Sequence, residues 1–143
     1  MSRSTEFLLE LARSLEQELT GLAAVDSRVD GSYCELKVTP IRAEACGFTI
    51  HSEEDTEMTV EFGRFSVAHV YSPDFDALAA DLNSMVTALL AGEVHERVGF
   101  VNEKPCRAKA TVGEGGATSA FSTRDGLCIG GETRKFEYSP YRS

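Results

Sequence analysis

The chain contains no C-x-x-C pair, no glycine-rich loop of the G-x-x-x-x-G-K-[ST] or G-x-G-x-x-G kind, and no apolar run near the ~20 residues that span a bilayer. Each absence removes a class of function. The four cysteines, Cys34, Cys46, Cys106 and Cys128, are scattered, and none of the three histidines completes a zinc spacing with them. A zinc site is therefore not expected. "GEGGATS" (113–119) has glycines but no helical run behind it to supply an anion-binding N-terminus, and "SEEDTE" (52–57) lacks the alternate ligands and central glycine of an EF-hand. No metal and no cofactor is expected. The opening "MSRSTEFLLELARS" interrupts its apolar positions with charge and has no h-region or cleavage site, so a secretory signal is not expected either.

The 143 residues suit one domain, 1–143, with 42% apolar and 26% charged residues close to the average of globular chains. By strand alternation Cys34 falls with Leu36 and Val38, Cys46 with Phe48 and Ile50, and Cys106 with Ala108 and Ala110. These cysteines read as reduced, buried thiols, and the expected location is the cytoplasm.

From Ser4 to about Ala24, Phe7, Leu8, Leu11, Leu15, Leu19 and Leu22 recur at three- and four-residue steps, which predicts an amphipathic helix. Tyr33 to Thr39 alternates with Cys34, Leu36 and Val38 on one face, a half-buried strand. Two further strands pair across a loop at 52–56, with Ile50 expected opposite Met58, Phe48 opposite Val60, Cys46 opposite Phe62, and His51 opposite Glu57 on the other face. A strand over 65–71 follows. "SPDF" supplies Ser72 as the expected N-cap and Pro73 as the first residue of a second helix, whose stripe of Phe75, Leu78, Ala79, Leu82, Met85, Val86, Leu89 and Leu90 ends before Gly92. Strands over 94–101 and 105–112, a hairpin turn at Asp125-Gly126 and a last strand in "ETRKFEY" complete the pattern. The fold class is α+β, a largely antiparallel sheet packed against two amphipathic helices in the order α-β-β-β-β-α-β-β-β-β.

Charge points to the surface that matters. Residues 1–96 carry 6 basic and 18 acidic side chains, a balance of −12, whereas 97–143 carry 8 and 5, a balance of +3. No basic groove interleaved with aromatics is visible, so nucleic acid is not an expected partner, and neither is a membrane. The acidic run Glu53, Glu54, Asp55 and Glu57, with Glu61 along the strand and His51 beside it, is the expected partner-binding surface, suited to attracting a basic protein. The histidines, His51, His69 and His95, have no catalytic spacing, so no catalytic residue is assigned.

The stretch "EDTEMTVEFGRFSVAHVYSPDFDALAADLNSMVTALLAGE" (54–93) resembles the strand, strand, helix core of small bacterial immunity proteins of polymorphic toxin systems, where an acidic loop leads into a "TVxFG" strand and a strand that often carries H-x-H. Ser66 and Ala68 stand at those histidine positions here, with His69 one place later, so no histidine role carries over. The resemblance implies a cytoplasmic, non-enzymatic protein that binds and neutralises a cognate toxin. Two alternatives stand beside it. One is an acidic secretion chaperone; the other is a small enzyme or ligand-binding domain using a pocket between the second helix and the sheet near His69.

Overall fold

Alternating runs become strands here because one face of each is covered. A computed structural model describes residues 2–113, 119–122 (backbone only) and 130–142. The elements are α1 (Arg3–Glu18), β1 (Ala23–Asp30), β2 (Tyr33–Pro40), β3 (Phe48–Glu54), β4 (Glu57–Phe62), β5 (Ser66–Tyr71), α2 (Phe75–Leu90), β6 (Val94–Val101), β7 (Lys104–Val112), β8 (Ser119–Ser122) and β9 (Glu132–Glu137). The α+β class and the order of helices and strand blocks are as the pattern indicates, with one strand more, β1, in the first block. The strands form two antiparallel sheets, ordered β1-β2-β3-β4-β5 and β8-β7-β6-β9. The expected turn at Asp125-Gly126 lies outside the described residues.

Both helices cover the same face of the first sheet. Leu8, Leu15 and Leu19 of the α1 region and Leu78, Leu82 and Leu89 of α2 share one buried cluster with Cys34, Leu36, Ile50, Met58, Val60 and Ala68. The helices meet edge to face at Phe7 and Phe75, with ring centroids 6.0 Å apart. The first helix ends at Glu18 rather than near Ala24, because the chain turns at Gly21 (φ 78°) to enter β1. The second is capped by Asp74, which accepts from the Asp76 amide, while the Ser72 hydroxyl accepts from the Asp74 amide one turn earlier than helical geometry begins. Among the described residues no helix is long and apolar enough to cross a membrane.

The β3–β4 hairpin keeps the expected faces but not the expected register. Phe48 pairs with Phe62, Ile50 with Val60 and His51 with Thr59, and the strands run on until Glu54 pairs with Glu57 past a bulge. Ser52 causes this: it is buried, and its hydroxyl donates to the carbonyls of Glu54 and Glu57, which replaces the expected five-residue loop by a tight turn at Asp55-Thr56.

Cys34 and Cys46 are free, buried thiols, and burial pushes the Cys46 thiol up to about 12. Cys106 is a correction: it is disulfide-bonded and half-buried. Gly99 pairs with Arg107 but Phe100 with Pro105, so Cys106 is the extra residue of a bulge and drops out of the alternation that seemed to bury it. The thiol argument for a reducing compartment does not extend to Cys106.

A buried carboxylate joins the sheets. Glu96 of β6 is 1% exposed and accepts four hydrogen bonds: Oε1 from the Arg64 amide (3.0 Å) and the Tyr138 hydroxyl (2.6 Å), Oε2 from the Phe65 amide (2.9 Å) and the Ser66 hydroxyl (2.7 Å). Three of these donors belong to the β4–β5 turn of the first sheet. Gly63 lets them converge, since at φ 64° a Cβ there would sit 2.8 Å from Glu96 Oε1. The C-terminal segment is pinned as well: Tyr141 is buried, its amide donates to Leu90 O and its hydroxyl to Cys46 O.

Candidate functional site

With helices on one face, the first sheet presents its other face to solvent, and the pleat decides which side chains stand there. In register across the strands, Arg28, Glu35, His51, Thr59 and His69 form one row, and Asp26, Lys37, Thr49, Glu61 and Val67 form the next. Tyr71, 67% exposed, and Glu57 flank them. The result is a polar, mixed-charge face carrying two imidazoles.

The expected pairing of His51 with Glu57 is replaced by two diagonal pairs. His51 Nε2 lies 3.8 Å from Glu61 Oε1, and His69 Nδ1 lies 3.5 Å from Glu57 Oε1 and 3.1 Å from Thr59 Oγ1. The two-residue register difference explains the exchange. Tyr33 stacks near His51 at 5.9 Å and donates to Glu35 at 2.9 Å; burial and then that hydrogen bond raise its phenol above the ordinary value. The Thr59, His69 and Glu57 cluster is not a nucleophile relay. A relay needs the hydroxyl and the carboxylate at opposite ring nitrogens, and here both approach Nδ1.

Of the six expected binding residues, His51, Glu57 and Glu61 come together on this face, and Glu53 and Glu54 are exposed where β3 leaves the sheet. Asp55 points elsewhere. Its carboxylate turns toward the start of α1 and accepts from the Ser4 amide at 2.9 Å, which, with Arg3 nearby, holds its carboxyl below the ordinary range. It satisfies a helix terminus.

The expected alternative, a helix–sheet pocket near His69, is also overturned, because His69 stands on the face away from both helices. A cleft of about 460 Å³ lies between the open face and the start of β7, with Lys37, Thr49, Glu61, Phe65, Val67 and Arg107 in its walls. Phe65 meets Phe100 edge to face at 6.1 Å, and Arg64 lies 4.4 Å above Phe136, so the rim is braced by the second sheet. Sequence reasoning missed this cleft because it depends on how the sheets meet. One signal was available: Glu96 occupies an apolar position in the alternation Val94, Glu96, Val98, Phe100, which marks a buried acid needing donors. Among the described residues no group of three histidine, cysteine or acidic side chains could hold a metal ion.

Comparison with family models, with curated proteins and with solved structures gives no match to this chain.

Proposed function

We propose that this is a non-enzymatic binding protein that engages a basic protein partner through the open face of the first sheet, in the manner of an immunity protein neutralising a cognate bacterial toxin. The observation that carries the reading is the cleft at the end of that face. A polar surface alone gives encounter and orientation, whereas a concave, partly apolar recess accepts one buried side chain, the arrangement from which interfaces draw most of their affinity. Val67 and Phe65 supply apolar wall and Glu61 a carboxylate within it, while Glu57, Glu53 and Glu54, at the far end of the β3–β4 hairpin, supply longer-range attraction for a basic partner. The resemblance of residues 54–93 to immunity-protein cores supports the same reading, since β4, β5 and α2 are the elements it spans.

The test is to isolate a partner by affinity capture from the native host and measure association and dissociation rates at two ionic strengths. Val67→Arg should block the cleft and speed dissociation. Glu53→Ser with Glu54→Ser should slow association and flatten its salt dependence while leaving stability unchanged. Wild-type rates for Val67→Arg would remove the cleft from the interface.

A further inference from the structure

The second sheet carries a feature that shares only Arg107 with the cleft of the proposed interface. Lys109, Arg97 and Lys135 stand directly opposite one another on β7, β6 and β9, and Arg107 follows two residues from Lys109, opposite Gly99. All four side chains are exposed, and they share the face turned away from Val98 and Ala108, which are buried toward the first sheet. Like charges directly opposed across strands destabilise a sheet. Among the described residues no carboxylate lies within ion-pair distance of Arg97, Arg107, Lys109 or Lys135, and the nearby Glu137 lies 3.6 Å from His95 Nδ1 instead. The crowding is the more unusual in a chain of net charge −9. Arg97, Arg107 and Lys109 surround a depression of about 200 Å³, with Thr133 on its wall and Gly99 as its floor, where no side chain stands between a ligand and the backbone.

We infer that this depression is a binding site for a compact ligand bearing one or two phosphate groups. Two guanidinium groups offer planar, paired donors that match phosphate oxygens, the lysine adds a point charge, and the threonine adds a hydroxyl. Size decides between a compact ligand and a polymer. The cations occupy strand positions about 5 Å apart between strands and about 7 Å apart along them, so the group is no longer than one or two phosphates require. Exposed aromatic side chains, on which bases would stack, are missing from this row of residues. The −12 balance of residues 1–96 would also repel the remainder of a long polyanion.

The experiment uses the full chain with inorganic phosphate, pyrophosphate and a single-stranded oligonucleotide as probes, read by calorimetric titration and by thermal melting. Pyrophosphate is expected to bind with one-to-one saturation, to raise the melting temperature, and to weaken with added salt. Arg97→Gln and Lys109→Gln should each reduce its affinity about tenfold or more, the worth of one charge-assisted contact. Both free variants should melt at or above the wild-type temperature, because each relieves like-charge crowding. Arg97→Lys should keep part of the affinity, having charge without the paired donors. Absence of saturable binding up to about 10 mM of either phosphate probe, a concentration near the weak end of specific affinity, would overturn the site. Oligonucleotide binding that tightens with length beyond that of pyrophosphate would replace it by a nucleic-acid surface. Destabilised Arg97→Gln and Lys109→Gln proteins would assign the row a structural role and equally overturn it.

Discussion

Replacing Glu96 by glutamine tests what joins the two sheets, because the change keeps volume and shape and removes only the charge and one acceptor. In either amide orientation one oxygen persists and one NH2 group faces a pair of former donors. Hydroxyls can rotate to accept from it, as Tyr138 or Ser66 would, but a backbone amide cannot, so either Arg64 N–H or Phe65 N–H is left unpaired. A buried unpaired amide costs about 1–3 kcal/mol, and the loss of charge assistance in the remaining bonds adds about 1 kcal/mol. Relief of the desolvation of a buried charge works in the opposite direction. It does not win, because the four donors assembled for that charge stay behind. The expected loss is about 2–4 kcal/mol for Glu96→Gln and about 3–5 kcal/mol for Glu96→Ala, which removes every acceptor. The chain has no tryptophan, so urea unfolding is best followed by far-ultraviolet circular dichroism. An unchanged slope with a lower midpoint is the expected outcome. A Glu96→Gln loss below about 0.5 kcal/mol, the range of an ordinary surface change, would refute the argument that this carboxylate organises the β4–β5 turn.

Leu82→Ala, at a fully buried position of α2, should lower stability by about 2–5 kcal/mol through lost burial and an unfilled cavity, measured by the same denaturation. Asp55→Ala should cost about 0.5–2 kcal/mol near neutral pH. The folded-state pKa of Asp55 is depressed, so its contribution is present above the ordinary carboxylate range and is lost as pH falls through the lowered value; the two proteins' stabilities should converge in acid. Cys46 titrates the other way. Its pKa rises from the ordinary 9.0 to about 12, so its stabilisation is complete below 9.0 and declines as pH climbs toward 12, and Cys46→Ala should flatten the alkaline loss of stability across that window.

What a strand pattern encodes is a face, and the β3–β4 hairpin shows both how far that carries and where it stops. A slip of one residue would expose every apolar side chain, so the inward set Phe48, Ile50, Met58, Val60 and Phe62 is legible. A slip of two exchanges one apolar partner for another. Ser52, small enough to bury and able to bond two carbonyls, favours the observed register, and its role is invisible until both strands are placed. The missing strand β1 fails for the opposite reason. It lies at the sheet edge with Asp26 to Asp30 all exposed, so burial imposes no period on it, and its charges suit an edge that must not pair with another chain. The candidate sites follow the same logic. Clustering in sequence groups His51, Glu57 and Glu61 on one face because neighbours in a hairpin are neighbours in sequence, yet it does not reveal that Asp55 accepts from the Ser4 amide, 51 residues away. The cationic row is legible only through topology. Lys109 and Arg97 are close along a hairpin, but Lys135 reaches Arg97 because β9 skips β8 and β7 to pair with the outer edge of β6. Residues that read as ordinary alternating surface charge thus become one cluster, with which no carboxylate among the described residues pairs. The chemistry assigned to the second sheet therefore rests on strand order, while the chemistry of the first rests on a hairpin that its own sequence already outlines.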